Sequence, residues 1–279
     1  MPEPPARPAP LRCGQTVFEF GRRTFLVGIV NMTPDSFAGD GLNGDAGAAE
    51  AMGQRWKEQG ADVIDVGGQS TRPSAVRVPV DEELRRTIPA VRRLVSVGLP
   101  VSVDTSSARV AAAALDAGAA LINDVTALTG DPAMAGVVAR AGVPVVLMDG
   151  RNRRGAADIM AETHAYLAGR LRAAGAAGIE PVRVVVDPGY GFGVSLAQNM
   201  EMLRRLRELT ALGRPILIGT SRKGSIGRVL NLPVYQLMEG TAATIVIAIA
   251  NGADFVRVHD VRAMVRVARM TDAIVRGLP

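Results

Sequence analysis

Apolar and polar positions follow two alternating periods along most of the chain. From residue 24 onward, segments with helical spacing of apolar residues end in Gly-Ala or Ala-Gly, and a short Val/Ile/Leu run follows. Examples are KEQGADVIDVGG at 57–68 and ALDAGAALINDV at 114–125. Glycine after the last helical turn is a common helix terminator, and short apolar runs between helices are typical of buried parallel strands. The pattern therefore predicts consecutive strand–helix units.

Eight such units can be counted. Strands are predicted at 24–30, 61–67, 100–103, 119–122, 143–148, 182–186, 215–219 and 253–258. Helices are predicted at 45–59, 79–97, 106–117, 131–141, 156–177, 195–212, 239–251 and 260–276. Eight alternations favour an α/β fold that closes as a (β/α)8 TIM barrel. An open doubly wound sheet is the alternative, but no dinucleotide-binding GxGxxG sequence directly follows the first strand.

The N-terminal segment differs from the rest of the chain. MPEPPARPAP is rich in proline and lacks the apolar core of a signal peptide, so residues 1–11 are predicted to be a disordered leader. RCGQTVFEF at 12–20 predicts a short hairpin that would close the lower end of the barrel. We therefore expect one domain over 12–279, because barrels of this length usually form a single domain.

Composition narrows the classes of function. The chain has 279 residues, 48% of them hydrophobic, and a single cysteine, Cys13, which excludes a disulfide framework and favours the cytoplasm. No apolar run approaches the length of a membrane span. The net charge is +5, but the arginines are scattered and aromatic residues make up 4%, which argues against nucleic acid and for a small anionic substrate.

Lysine is rare in this basic chain. Of the 32 Lys and Arg residues only Lys57 and Lys223 are lysines. A lysine retained in an arginine-rich chain can indicate a need for a compact ammonium group, with chance as the simpler explanation.

Polar residues stand at the end of every predicted strand. In a TIM barrel these ends converge on the active site. The polar residues are Asn31, Asp65, Asp104, Asn123, Asp149, Asp187, Lys223, Arg257 and His259, and Met148 and Gly219 stand at the same strand ends. One polar strand end would be an ordinary loop, but eight of them favour a functional site at what we call the mouth of the barrel, the C-terminal ends of its strands.

Two kinds of chemistry are present at the predicted mouth. Asp104, Asn123, Asp187 and Lys223 suit a flat, nitrogen-rich heterocycle that has N–H donors and a carbonyl acceptor. A second set, consisting of Asn31, Arg257 and His259, suits a phosphate or a diphosphate accompanied by Mg2+. The long loops at 33–45 and 69–80 are candidates to close over a substrate.

The chain resembles the dihydropteroate synthases, the folate-pathway enzymes that sulfonamides inhibit. The resemblance covers roughly residues 24–277 and rests on seven segments in the family's order. They are VNMTPDSF, GADVIDVGGQSTRP, VSVDT, LINDV, DPGYGFG, GTSRKGSIG and EGTAATIVIAIANGADFVRVHDV.

The resemblance implies a reaction. The family joins 6-hydroxymethyl-7,8-dihydropterin pyrophosphate to p-aminobenzoate and releases 7,8-dihydropteroate and pyrophosphate. It also implies a homodimeric barrel that uses Mg2+.

By matched position, the resemblance implies three groups of site residues. The pterin group is Asp104, Asn123, Met148, Asp187, Phe192, Gly219, Lys223 and Arg257, with Lys223, Arg257 and Asp104 expected to serve catalysis. The pyrophosphate group is Asn31, Arg257 and His259, with Asn31 also expected at the metal. The p-aminobenzoate group is Thr71, Arg72, Pro73 and Ser221.

Several positions depart from the family pattern. Gln69 stands where the family usually has Glu, Asp149 where it has His, and Val194 where Lys is common. The first loop also reads SFAGDG. All are expected toward the loops and the rim, affecting rate, loop closure and p-aminobenzoate affinity more than pterin recognition. They make a silent pterin-binding paralogue an alternative. Two further alternatives are a methyltetrahydrofolate:corrinoid methyltransferase and a Schiff-base aldolase that uses Lys223.

Overall fold

Eight parallel strands form a barrel, as the sequence predicts. The computed structural model describes residues 7–34, 41–70 and 77–278. The strands are β1 Leu11–Cys13, β2 Thr16–Phe18, β3 Phe25–Asn31, β4 Val63–Gly67, β5 Val101–Asp104, β6 Leu121–Asp124, β7 Val145–Met148, β8 Val184–Asp187, β9 Leu217–Ile218 and β10 Phe255–Val258. The helices are α1 Ala46–Gln59, α2 Val80–Val95, α3 Ala108–Asp116, α4 Met134–Ala141, α5 Ile159–Ala176, α6 Leu196–Arg205, α7 Gly224–Leu230, α8 Met238–Ala250 and α9 Val261–Arg276.

The order of the strands around the barrel follows the chain. Strands β3 to β8 pair with their sequence neighbours, and β10 lies between β3 and β9. A single parallel bridge between Val186 and Ile216 brings β8 to β9 and closes the circle. The (β/α)8 prediction is therefore confirmed, and the doubly wound alternative is wrong.

The register of neighbouring strands aligns the polar strand ends. Asp104 of β5 lies opposite Asn123 of β6, and Met148 of β7 lies opposite Asp187 of β8. Parallel strands of similar length thus deliver these side chains to one level of the barrel. The fold itself assembles the mouth.

A hairpin and an aromatic cluster close the opposite end, which we call the base. Strands β1 and β2 pair antiparallel, as predicted, and Phe18 packs edge-on against Phe25 and Phe255 at centroid distances of 4.8 and 5.3 Å. Phe20 joins the same cluster. Such edge-to-face contacts favour a fixed packing at the base.

Most differences from the sequence prediction concern boundaries. Helix α7 was missed because seven residues with two glycines carry little helical periodicity. The predicted helix at 195–212 is α6 followed by a 3-10 segment, Leu206–Leu212. The predicted leader over 1–11 extends too far, because Leu11 is fully buried and begins β1, while residues 1–6 lie outside the described part of the chain.

The described helices have one further property in common. None in residues 7–34, 41–70 and 77–278 is long and apolar enough to cross a membrane.

Candidate active site

Two carboxylates hold one guanidinium at the mouth. Arg257 of β10 donates from Nε to Asp65 Oδ2 at 2.6 Å and from Nη2 to Asp104 Oδ2 at 3.2 Å. Its side chain is 21% exposed, whereas Asp65 is 1% exposed, so Asp65 lies beneath Arg257 within the barrel. Burial opposes the charge on Arg257, but the two carboxylates raise its pKa above the usual value. The guanidinium therefore keeps its charge at the site.

Asp65 also organises a neighbouring side chain. Asn123 donates from Nδ2 to Asp65 Oδ2 at 3.3 Å, and Ser102 donates from Oγ to Asp65 Oδ1 at 2.5 Å. The register of β4 with β5 places Asp65 directly opposite Ser102. One buried carboxylate thus orients both the amide and the guanidinium that were predicted to contact a pterin.

Asp104 retains an unused acceptor. Its Oδ1 atom is buried and has no hydrogen-bond partner among the described residues. Burial raises the pKa of Asp104 to about 7, Arg257 lowers it, and Asp65 raises it further. An unpaired buried carboxylate oxygen is costly. A ligand N–H would remove that cost.

Asp187 ends β8 on the other side of the mouth. Its Oδ1 accepts a hydrogen bond from the backbone N–H of Gly189 at 2.7 Å. Gly189 has φ +72° and no space for a Cβ, which would lie 2.0 Å from the carbonyl oxygen of Asp149, so only glycine fits. Burial raises the pKa of Asp187 to about 6, and the Gly189 N–H and Lys223 lower it. Asp187 is a second carboxylate suited to N–H donors.

Lys223 faces the same space from the loop after β9. Its Nζ atom lies 4.1 Å from the centroid of the Phe192 ring, a cation–π contact. Burial lowers the pKa of Lys223 to about 8, Arg257 lowers it further, and Asp187 and Asp104 oppose the shift. At pH 7 the side chain is therefore an ammonium group able to donate to a carbonyl oxygen.

A cavity of about 630 Å³ opens beside these groups. Met148, Phe192 and Lys223 form one part of its wall, and Asn152 and Arg228 lie among its other lining residues. Its size lies within the range of small-molecule sites, about 300–1,000 Å³. Met148, Phe192 and Lys223 of the predicted pterin group thus line a cavity, whereas Asp104, Asn123, Asp187, Gly219 and Arg257 are not among its lining residues.

Ser221 and His259 meet at the mouth near Arg257. Ser221 Oγ lies 3.0 Å from His259 Nδ1 and accepts from the His259 backbone N–H at 3.2 Å. Gly219 faces Arg257, and a Cβ added there would lie 3.7 Å from Arg257 Cβ. The structure therefore places a predicted p-aminobenzoate residue against a predicted pyrophosphate residue.

Asn31 ends β3, where it lies opposite Gly67 of β4. Its carbonyl oxygen accepts from Leu42 N at 2.8 Å, which ties the end of β3 to the start of the next segment. Thr71, Arg72 and Pro73 lie outside the described residues.

The donor set at the mouth bears on the predicted Mg2+. Among the described residues no group of three His, Cys, Asp or Glu side chains is arranged to hold a metal ion. Mg2+ usually keeps several waters and binds through few protein groups together with substrate phosphates. The predicted Mg2+ therefore stays a prediction, since a metal held mainly by a diphosphate needs no such group of protein side chains.

The residues that depart from the family pattern differ in their solvent exposure. Gln69 is partly exposed, in agreement with the expected position toward the loops. Asp149 and Val194 lie in the loops after β7 and β8, as expected, but Asp149 is fully buried and Val194 is 5% exposed. Asp149 pairs with Arg151 and with Arg153, and Val194 packs in the hydrophobic core.

Sequence reasoning missed the roles of two buried residues. Asp65 interrupts an otherwise apolar strand, VIDVG, and that interruption is a usable signal. Arg153 lies in a loop among many arginines, and nothing in the sequence separates it from them.

Comparison with known proteins agrees with this geometry. Residues 27–259 match the family model described as pterin binding enzyme. The dihydropteroate synthase of Synechocystis sp. is 41% identical over 278 residues, covering 96% of each chain.

Two solved structures of the dihydropteroate synthase of Xanthomonas albilineans are also similar. The structure with 4-aminobenzoic acid has a TM-score of 0.90 and 43% identity, covering 98% of this chain and 100% of the other. The structure in complex with 7,8-dihydropteroate has a TM-score of 0.87 and 42% identity, covering 97% and 100%. The chain therefore belongs to the dihydropteroate synthase family of pterin-binding enzymes.

Proposed function

We propose that the protein is a dihydropteroate synthase that condenses 6-hydroxymethyl-7,8-dihydropterin pyrophosphate with p-aminobenzoate. The observation that carries this proposal is the buried Oδ1 atom of Asp104, which lies beside Asp187 and Lys223 and has no hydrogen-bond partner in the described part of the chain. Two carboxylates and one ammonium complement a ring system with N–H donors and one carbonyl group. The relatives crystallised with 4-aminobenzoic acid and 7,8-dihydropteroate support the same substrates.

The reaction exchanges one bond at the pterin methylene carbon. The C–O bond to pyrophosphate breaks and its electron pair leaves with the pyrophosphate, while the amine nitrogen of p-aminobenzoate forms the new C–N bond and then loses a proton. Asp187 and Asp104 accept hydrogen bonds from the pterin N–H groups, and Lys223 donates to the pterin carbonyl. These contacts hold the methylene carbon in one position for attack.

Arg257 and His259 serve the leaving group. The Arg257 guanidinium is held by Asp65 and Asp104 and remains partly exposed toward the mouth. Fixed positive charge near a developing anion lowers the barrier because no reorganisation is needed during reaction. Mg2+ would be held by the diphosphate together with Asn31 and would supply further positive charge to the pyrophosphate oxygens.

The function is tested by incubating the protein with the pterin pyrophosphate and labelled p-aminobenzoate, with and without Mg2+. Labelled dihydropteroate and pyrophosphate should form in equal amounts, and chelation of Mg2+ should slow both. Binding of the pterin without release of pyrophosphate would favour the silent-paralogue alternative. No pterin binding at all would overturn the proposal.

We also propose that the enzyme is a cytoplasmic homodimer. Large apolar side chains are exposed on α8 and α9, which pack side by side: Val246 and Ile247 on α8, and Met270 and Ile274 on α9. An apolar surface of this kind is typical of an obligate subunit interface. The sole cysteine, Cys13, is a buried free thiol, which fits a reducing compartment.

The dimer is tested by sedimentation of the wild type and of Ile274→Glu. The wild type should sediment as a dimer, and the buried charge should produce monomers. Val17→Glu, at an exposed position on the hairpin, is the matched control and should remain dimeric. A monomeric wild type would contradict the proposal.

A further inference from the structure

Arg153 is a buried guanidinium in the loop between β7 and α5. Its side chain is 1% exposed and pairs with Asp149, which is fully buried, at 3.2 Å. Arg151 pairs with the same carboxylate through Nε at 2.9 Å, but its side chain is 44% exposed. A buried charge in a small loop is expensive unless it is paired and hydrogen-bonded. The loop must therefore give Arg153 many acceptors.

Three of the six hydrogen-bond acceptors of Arg153 lie on the loop that follows β8. Arg153 donates from Nη1 to the carbonyl oxygen of Pro188 at 3.0 Å, and from Nη2 to those of Gly189 and Phe192 at 3.4 and 3.3 Å. It also donates to Thr163 Oγ1 at 2.7 Å. A planar group with five N–H donors can reach all of these acceptors, whereas an ammonium group with three cannot.

The carbonyl groups that Arg153 holds belong to the peptides that position two site residues. The backbone N–H of Gly189 donates to Asp187 Oδ1, and the Asp149 N–H donates to the Asp187 carbonyl oxygen at 3.0 Å. Phe192 carries the ring that contacts Lys223. Rotation of these peptides would therefore move both an acceptor and a wall of the proposed pterin site.

Arg153 also contributes charge near Asp187. Besides the Gly189 N–H, the charged groups that face Asp187 are Lys223 of the β9–α7 loop, Arg257 of β10 and Arg153. All of them favour the ionised carboxylate against the effect of burial. Loss of one would leave the carboxylate protonated up to a higher pH.

We propose that Arg153, held by Asp149, is a positioning residue for pterin recognition, fixing the turn of Asp187 and Gly189 and the ring of Phe192. The inference rests on the proposed function and adds to it a residue that does not touch the substrate. Asp149 is then part of pterin recognition, although the sequence alone predicts an effect of this position on rate and p-aminobenzoate affinity.

The backbone of this loop is anchored independently of the Arg153 side chain. The Arg153 N–H donates to the carbonyl oxygen of Gly193, and Gln198 Nε2 donates to the Arg153 carbonyl oxygen at 2.9 Å. Substitution of the side chain should therefore leave the loop in place.

Calorimetric titration with the pterin pyrophosphate between pH 5.5 and 8 tests the inference on Arg153→Gln, Arg153→Lys and Arg151→Gln. Arg153→Gln should lower pterin affinity about tenfold or more, the effect of losing one charged hydrogen bond. In this variant the rise of pterin affinity with pH, the acidic limb of the binding profile, should also move to higher pH. Arg153→Lys keeps the charge and should restore the acidic limb but not the full affinity.

The control and the KM values separate positioning from a general loss of structure. Arg151→Gln removes an arginine that pairs with the same Asp149 but does not reach the β8–α6 loop, so it should bind as the wild type does. The KM for p-aminobenzoate should change little in Arg153→Gln. Wild-type affinity and an unshifted limb in Arg153→Gln would overturn the inference, as would an equal loss in Arg151→Gln.

Two further outcomes are also decisive. If Arg153→Gln does not fold, the titration of Arg153→Lys decides the test. Wild-type affinity in Arg153→Lys then overturns the requirement for a guanidinium. If the wild type itself binds no pterin pyrophosphate, the proposed function fails and the inference fails with it.

Discussion

Asp65 and Arg257 form an ion pair in which the buried partner directs the accessible one. The Nε···Oδ2 distance is 2.6 Å, and the carboxylate is almost fully enclosed while the guanidinium reaches the mouth. Because Asp65 also accepts from Asn123 and Ser102, one side chain on β4 sets the direction of groups on three other strands. The proposed pterin site therefore depends on a residue beneath it.

Replacement of Asp65 should affect both stability and binding. Asp65→Asn removes a charged acceptor from Arg257 and should lower the free energy of unfolding by about 1.5–3 kcal/mol. Pterin affinity should fall as well, because Arg257 and Asn123 lose their common anchor. Urea unfolding and calorimetry measure the two effects. Asp81→Asn breaks the exposed pair with Arg109 and should change neither.

Lys223 should not be replaceable by arginine. The space around it is narrow, since a Cβ on Gly191 would lie 3.1 Å from Lys223 Cδ and the Phe192 ring covers Nζ. Lys223→Arg keeps the charge but adds a planar group, so kcat should fall nearly as far as in Lys223→Ala. Steady-state assays decide this. Lys57→Arg, at the other lysine, should stay active, and an active Lys223→Arg would show that charge alone suffices.

Substitutions at the pterin residues and at the p-aminobenzoate residues should have different effects on binding and kinetics. Asp187→Asn replaces an acceptor oxygen by a donor, which should cost about 1.5–3 kcal/mol, roughly 10- to 150-fold in pterin affinity. Arg72→Ala should leave pterin binding nearly intact but raise the KM for p-aminobenzoate. Calorimetry and steady-state kinetics on both variants test the division. The reverse result would contradict it.

Pterin binding should depend on pH in a bell shape. The N–H groups of the ligand favour ionised Asp187 and Asp104, whose pKa values are about 6 and about 7, so affinity should rise as pH increases through this range. Lys223 has a pKa of about 8 and must be protonated to donate, so affinity should fall above that pH. Calorimetry in buffers of different ionisation enthalpy should show proton release on the acidic limb. Constant affinity from pH 5 to 9 would contradict these roles.

Asp254 should limit stability near neutral pH. It is 6% exposed, accepts from the Ile216 N–H at 3.0 Å, and burial raises its pKa to about 6. Because the folded state holds this proton more tightly than the unfolded chain, stability should fall as pH rises from about 4 to about 6.

Asp254→Asn keeps an acceptor oxygen without a titrating group. It should remove this part of the pH dependence and raise the free energy of unfolding at pH 7 by up to about 2–3 kcal/mol relative to the wild type. Thermal unfolding across this pH range measures the difference. Asp116→Asn, at an exposed helix end, should leave the dependence of stability on pH as it is in the wild type.

The sequence predicts the barrel well because its evidence is local. The terminating glycines and apolar runs mark each unit, so residues such as Asp104, Asp187 and Arg257 can be assigned to strand ends from the sequence alone. Their convergence then follows from the topology of the barrel. The resemblance to a family adds the identity of the ligand.

Pairwise contacts between distant residues could not be predicted in the same way. The partner of Asp65 lies 192 positions away in the chain. Arg153 contacts the β8–α6 loop only because both loops emerge at neighbouring strand ends. Helix α7 is short and glycine-containing, so its periodicity is too weak to detect.

The hairpin and the phenylalanine cluster that fill the base have a kinetic consequence. With that end filled, substrates reach the site through the mouth, and the carboxylates proposed for the pterin end strands β5 and β8 of the barrel wall. We therefore expect the pterin pyrophosphate to enter before the aryl amine binds over it. Initial-rate patterns should show compulsory-order addition, with p-aminobenzoate binding measurably only to the enzyme already loaded with the pterin pyrophosphate.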